Sequence, residues 1–221
     1  MPKLKFIRVF LFALGLPLGL AVAASSASAQ IAVGISVRVA PPAIPVYVQP
    51  PCPVEGYLWT PGYWSYANDD YFWVPGVWVA PPSAGLLWTP GYWGFAGGVY
   101  GFHAGYWGPH VGFYGGVNYG FGYGGVGFVG GEWRGGHFAY NTAVLNVNTA
   151  VVHNTFVNRT VVNTTVVSHA SFNGGPGGTT ATASAEERAA ANEHHVEATS
   201  EQTAHERTAS TDKSNFASAN H

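Results

Sequence analysis

Two periodicities organise the chain. From Ile31 to Val39 every second residue is apolar, namely Ile31, Val33, Ile35, Val37 and Val39, with Gly34, Ser36 and Arg38 between them. That alternation predicts a half-buried strand that pairs with another part of the protein. From Trp59 to Trp107 the recurring object is a six-residue phrase: an aromatic, two residues, Gly, one residue, Trp. Its copies are Trp59-Thr60-Pro61-Gly62-Tyr63-Trp64, Trp73-Val74-Pro75-Gly76-Val77-Trp78, Trp88-Thr89-Pro90-Gly91-Tyr92-Trp93 and Phe102-His103-Ala104-Gly105-Tyr106-Trp107. Between the two regions stand Pro41-Pro42, Pro45, Pro50-Pro51 and Pro53. Without amide donors, these favour an extended polyproline-type path.

The phrase reads as geometry before it reads as chemistry. In an uninterrupted strand the two Trp of a unit, five positions apart, face opposite sides. A bulge at Pro-Gly returns them to one face, with Gly supplying backbone freedom. Tight hairpin tips need positive φ, which Asn68-Asp69 and Gly97-Gly98 tolerate. Folding at the first sets Trp64 opposite Trp73 and Trp59 opposite Trp78. Folding at the second sets Trp93 opposite Phe102 and Trp88 opposite Trp107. A further turn centred on Ser83, in Pro81-Pro82-Ser83-Ala84-Gly85, aligns Trp78 with Trp88 and Trp73 with Trp93. The expectation is a mainly β fold: an antiparallel meander of Trp-rich hairpins with aromatic rows 59, 78, 88, 107 and 64, 73, 93, 102. Each cross-strand aromatic pair adds about 0.5–1.5 kcal/mol beyond area burial.

Worn copies follow at Phe113-Tyr114-Gly115-Gly116-Val117-Asn118 and Phe128-Val129-Gly130-Gly131-Glu132-Trp133. A turn around His110 brings Phe113 beside Trp107, and one around Tyr123 brings it beside Trp133. The run Gly112 to Gly131 reads either as ordered strands or as a flexible low-complexity segment. The copies at 59, 73, 88 and 102, with Tyr57-Leu58-Trp59 and Tyr71-Phe72-Trp73, resemble the repeats of the bacterial WXXGXW or YXWGXW repeat-containing proteins. The resemblance covers about residues 57 to 133. That family is a set of exported bacterial proteins defined by the repeat, without an established activity or catalytic residues. The resemblance therefore implies an envelope location and no mechanism. The fourth unit departs from the motif, with Phe102 for the first Trp and Ala104 for Pro.

After the repeats the composition changes. Residues 141 to 172 are rich in Asn, Thr and Val, in phrases such as Asn141-Thr142-Ala143-Val144-Leu145 and Asn163-Thr164-Thr165-Val166-Val167. They predict short extended pieces with Asn at the corners, either an arm wrapping its own domain or a segment that self-associates. Asn158 and Asn163 head Asn-x-Thr sequons, which matter only in a eukaryotic secretory pathway. Residues 173 to 183, rich in Gly, Thr and Ala, read as a linker. Ser184-Ala185-Glu186-Glu187 matches a capping box and predicts a helix from about Ala185 to Arg207. Val196 is its only bulky apolar residue, so the acidic tail 184–221 is expected to be marginally helical or disordered.

Composition narrows the class. Charged residues make 9% of the 221, against about 25% in average proteins, and the net charge is −2. The basic field of a nucleic-acid binder is absent. At the N-terminus, Lys3, Lys5 and Arg8 precede an apolar run from Val9 to Ala24, and Ala27-Ser28-Ala29 precedes Gln30. This is the pattern of a secretory signal peptide, residues 1 to 29. Gly15 and Pro17 interrupt a run shorter than the ~20 residues of a membrane span, and no later stretch suits a transmembrane helix. No Cys stands at the processing site to accept lipid. Cys52 is the single cysteine, so no intrachain disulfide forms, and between two prolines it reads as a packed thiol. The remaining divisions are 30–56, strand and Pro-rich lead-in, and 57–140, the Trp/Gly repeat module.

Little in the chain suggests reaction chemistry. His194, His195 and His205 share the tail with Glu197 and Glu201, but a Glu201–His205 pair on one helical face is too few ligands for a metal site. His103, His110, His137, His153 and His169 are scattered. Asp69 and Asp70 fit a turn tip, and no nucleophile stands at a readable spacing from a base and an acid. The expectation is an exported, non-enzymatic structural or interaction protein of the cell envelope, periplasmic or extracellular, with no cofactor. Its partners would be an envelope polysaccharide or another envelope protein. The alternative is a carbohydrate-binding module, with Trp59, Trp78, Trp88 and Trp107 as exposed stacking faces. Exposure of those four decides between them. An outer-membrane barrel ranks last, because clear ten-residue alternating spans are missing.

Overall fold

The structure, a computed structural model, describes residues 33–161 and 169–220. The expected signal peptide, Ile31 and the phrase at Asn163 lie outside the described residues. β1 (Val33–Val37) precedes the Pro-rich lead-in. The first pair of phrases forms β2 (Leu58–Thr60), β3 (Tyr63–Ala67), β4 (Asp70–Val74) and β5 (Val77–Val79). The second pair forms β6 (Leu87–Thr89), β7 (Tyr92–Ala96), β8 (Val99–His103) and β9 (Tyr106–Gly108). Then come β10 (Asn118–Gly120), β11 (Tyr123–Gly124), β12 (Gly131–Arg134), β13 (His137–Asn141), β14 (Thr155–Phe156), β15 (Phe172–Asn173), α1 (Ala185–Ala190) and α2 (Ser200–Ala209). The fold is mainly β, built of small hairpin sheets. No helix among the described residues is long and apolar enough to cross a membrane.

Both hairpin tips form where turn chemistry places them. Asn68 (φ 52°) and Asp69 (φ 63°) connect β3 to β4, and Gly97 (φ 61°) and Gly98 (φ 85°) connect β7 to β8. Two successive positive φ values are those of the primed turn that matches strand twist. The registers follow: Trp64 pairs with Trp73 and Trp59 with Trp78, then Trp93 with Phe102 and Trp88 with Trp107. The ring centroids of Trp64 and Trp73 lie 5.4 Å apart, so the two share a face. A third hairpin, β12–β13, turns at Gly135-Gly136. The spacing of the phrases does not predict it, although it carries the same Gly-Gly signal.

The bulge is corrected. Pro61-Gly62 falls opposite Pro75-Gly76, and the register is the same on both sides of the break. Each strand is interrupted at the matching place, so neither gains a residue on the other.

The antiparallel Trp-rich hairpins form as expected, but the alignment of the two about Ser83 is corrected. No ladder joins β5 to β6 among the described residues, so the two aromatic rows exist as separate cross-strand pairs. The hairpins instead pack on one another. Trp93 Nε1 donates to the Trp64 carbonyl at 2.8 Å, the Tyr71 ring meets Trp93 edge-on at 5.2 Å, and Tyr63 stacks on Phe102 at 5.7 Å. A turn of five residues containing two prolines permits either arrangement. Burial of indole rings between layers favours the packed one.

The flanking segments close this core. β1 pairs antiparallel with β8, as its alternation requires. The lead-in runs across the hairpins without joining a ladder, and its unpaired carbonyls become acceptors. Trp64 Nε1 donates to the Ala43 carbonyl at 3.0 Å, Trp78 Nε1 to that of Pro50 at 2.8 Å, and the Tyr71 hydroxyl to that of Val39 at 2.7 Å. An extended proline-rich strand satisfies none of its carbonyls internally, which suits it to receive indole N–H groups.

The run Gly112 to Gly131 is ordered around Tyr114, Tyr119 and Tyr123, all buried. Their hydroxyls donate to the carbonyls of Gly127, Gly91 and Trp88. The two expected positions of Phe113 are not realised. It meets Tyr92, and Trp133 meets Phe138.

The described parts of the Asn/Thr/Val segment pack on their own chain. β14 joins β13 in parallel and β15 joins β7 in parallel. Asn marks its corners, with the side-chain oxygens of Asn141, Asn148 and Asn158 accepting from the amides of Ala143, Ala150 and Thr160, the local turn bond that Asn favours. Residues 173–183 are packed instead of forming a free spacer, since Asn173 Nδ2 donates to Gly115 O, Thr179 Oγ1 and Ala181 O.

The predicted single helix is two. Ser184 and Glu187 form the capping box of α1, and Thr199 with Gln202 forms a second one that starts α2. The chain between them leaves the helix because Val196 bridges to Trp107, with N···O distances of 2.8 and 2.9 Å. His195 stacks on Tyr106 beside that bridge, with centroids 3.7 Å apart.

Candidate functional site

The four Trp expected as contact faces are all buried: Trp59 1%, Trp78 6%, Trp88 7% and Trp107 0% exposed. None presents a flat ring to solvent, which corrects the stacking-platform reading. Trp59 lies against Trp78 at 5.4 Å and Trp88 against Trp107 at 5.3 Å. They are brought together in pairs, as the register requires, but in the interior.

The reason lies in the glycines. A Cβ on Gly76 would stand 2.3 Å from Cζ2 of Trp59, and one on Gly62 would stand 2.4 Å from Cζ2 of Trp73. The second hairpin repeats the arrangement, with Gly105 under Trp88 at 2.4 Å and Gly91 under Phe102 at 2.8 Å. The same hypothetical Cβ atoms meet the opposite strand's backbone, such as Gly62 N at 3.0 Å from Gly76. In each hairpin, therefore, the first aromatic of one phrase covers the Gly of the other. The four glycines lie outside the positive-φ region, so the motif needs Gly for the absent side chain and not for backbone freedom. Phe102 covers Gly91 in the divergent unit, so the substitution of Trp keeps the function of the position.

The tail completes this core with polar contacts. Trp107 Nε1 donates to Gln202 Oε1 at 2.9 Å, and the same oxygen accepts from the Thr199 amide. Ser65 Oγ donates to Glu206 Oε1 at 2.8 Å, and His205 Nε2 lies 2.8 Å from the Pro75 carbonyl. A cleft of about 110 Å³ remains between the two Pro-Gly breaks and α2, bordered by Tyr63, Trp88, Phe102, Gln202 and Glu206. Burial raises the Tyr63 phenol well above its ordinary range, and the Glu206 carboxylate beside it adds to the effect. A phenol held neutral in this way donates a hydrogen bond and does not act as a base. Sequence reasoning missed Gln202 as the acceptor for Trp107, although Thr199-Ser200-Glu201-Gln202 carries a legible capping signature.

The other candidate groups are dispersed. Cys52 is buried, its thiol donating to the Val54 carbonyl, and burial pushes that thiol up, away from a reactive thiolate. His110 meets Glu193 at 2.7 Å, and His103 stacks on Tyr92 at 4.5 Å. Among the described residues no three His, Cys, Asp or Glu side chains converge to hold a metal ion.

Comparison with known proteins agrees with this geometry. No curated protein and no solved structure matches the chain. The WXXGXW repeat family matches residues 56–79, in two copies. That span is the first hairpin, in which two phrases exchange aromatic covers across the strand pair. The chain thus carries two copies of the WXXGXW repeat in its first hairpin, residues 56–79.

Proposed function

We propose that the chain is an exported, non-enzymatic structural or interaction protein of the bacterial cell envelope, in which the paired Trp hairpins are a rigid scaffold. The observation that carries the reading is the burial of Trp59, Trp78, Trp88 and Trp107. A sugar-stacking platform needs such rings exposed, whereas a scaffold needs them inside. Export is supported by the tripartite pattern of residues 1 to 29 and the small-residue site before Gln30. The partner is an envelope polysaccharide or another envelope protein, met by loops and the outer faces of the hairpins.

Fractionation of the producing cell, followed by N-terminal sequencing, tests the proposal. The mature chain is expected to begin at Gln30 and to leave with the envelope or the medium. Recovery of a chain that begins at Met1 in the cytoplasm would overturn it.

A further inference from the structure

We propose that the groove between the β12–β13 hairpin, the loop at Glu55 and the approach to β14 binds a neutral polyhydroxylated ring, one sugar unit of an oligosaccharide or polysaccharide. It consists of two adjoining hollows of about 210 and 160 Å³ that share His137 and Asn154. Three segments remote in sequence converge on it. The site is distinct from the buried Trp pairs, and its existence does not depend on where the chain resides.

The apolar wall is Trp133. Its indole is fixed from two sides, Nε1 donating to the Leu86 carbonyl at 3.0 Å and the ring meeting Phe138 edge-on at 5.4 Å. A held aromatic wall offers a sugar's C–H face apolar area at little further entropic cost. The polar fringe is also held. Glu55 Oε1 accepts from the Asn154 amide at 3.3 Å and from Asn154 Nδ2, and Oε2 accepts from the His153 amide at 3.5 Å. A carboxylate has about four acceptor positions, so Oε2 retains room for a hydroxyl donor. His137 is exposed at the shared rim, and a side chain at Gly136 would meet nothing within 4 Å, which leaves the mouth open.

Charge selects the ligand class. Arg134, the cation that borders the groove, is paired with Glu132 and lies over the Phe156 ring at 4.8 Å, so it is already engaged and poorly placed to fix an anion. With no metal-ligating trio among the described residues, metal-assisted anion capture is not built here either. An apolar plate with donors and acceptors at its edge matches a ring that has one C–H face and hydroxyls around its rim.

The test is a titration of the isotope-labelled mature chain, followed by amide and indole NMR signals, with maltotetraose, cellotetraose and chitotetraose. Oligogalacturonate and inorganic phosphate serve as anionic comparators. At least one neutral tetrasaccharide is expected to shift the Trp133 indole and the amides of Gly136, His137 and Asn154. Glu55→Gln should weaken that binding about tenfold, His137→Ala by a smaller factor, and Trp133→Ala should abolish it with partial return in Trp133→Phe. Because Trp133→Ala also removes the Leu86 hydrogen bond, the Glu55 and His137 variants decide the matter once their otherwise unchanged spectra show an intact fold. Val46→Ser, on the lead-in, should bind as the parent does. The proposal is overturned if millimolar neutral sugars leave these signals unmoved, if only the anionic probes shift them, or if the shifts fall outside the groove.

Discussion

The indole of Trp59 lies directly on Gly76, close enough that a single methyl group at that glycine would stand 2.3 Å from ring carbon Cζ2. The contact crosses the hairpin from one phrase to the other. It turns a spacing rule in the sequence into a steric requirement.

Gly76→Ala is therefore expected to destabilise the protein by about 3 kcal/mol, the upper end of ordinary overpacking, because ring and backbone both block relief. Gly34→Ala is the comparison, since a Cβ there meets nothing within 4 Å. Denaturant titration of the two variants should separate them clearly. Equal midpoints would show that the indole moves aside freely.

Gln202→Ala removes the acceptor of the Trp107 N–H, which has 0% exposure and gains no water in exchange. A loss of about 1–3 kcal/mol is expected, together with faster hydrogen exchange at the Trp107 indole. The α2 cap weakens as well, because the same oxygen accepts from Thr199. Unchanged exchange would mean that the tail does not protect the indole.

Buried tyrosines predict alkaline unfolding. Burial raises the phenols of Tyr114 and Tyr119 far above their ordinary value of 10.0. The folded state then holds protons that the unfolded state releases, so stability is fully present below pH 10.0 and falls as pH rises beyond it. Each such tyrosine contributes a loss of about 1.4 kcal/mol per pH unit. Phenolate absorbance and near-ultraviolet circular dichroism should change together in one cooperative step. Gradual phenolate formation in a chain that stays folded would contradict it.

Asp69→Gly should stabilise the first hairpin by about 1 kcal/mol, because Asp69 occupies φ 63°, where a Cβ is unfavourable. The turn's local carboxylate bond belongs to the neighbouring residue, since it is Asp70 that accepts from the Tyr71 amide. A melting temperature below that of the parent would show that the Asp69 side chain contributes more than its backbone position costs.

Much of the fold is legible in the sequence because its determinants are short-range. Asn68-Asp69 and Gly97-Gly98 select turns, turns select registers, and registers pair Trp64 with Trp73 without reference to the rest of the chain. Gly135-Gly136 carries the same signal. What the linear pattern does not encode is which side of a hairpin meets which. The path through Pro81-Gly85 has no period, and the choice between extending a sheet and stacking two hairpins depends on contacts such as Tyr63 with Phe102. The exposure of Trp88 hangs on that choice, so its role as a ligand face could not be read. The tail shows a similar limit. Both capping boxes are local and readable, but Val196 leaves the helix for an edge supplied some ninety residues earlier.

The exchange of covers between phrases bears on how such a chain lengthens. A phrase inserted alone would leave its own glycine bare and its leading aromatic without a seat, so a gain of one copy is penalised at birth. Duplication of two phrases with the turn between them adds a closed set. The hairpin is then the heritable module, and the six-letter motif is half of it.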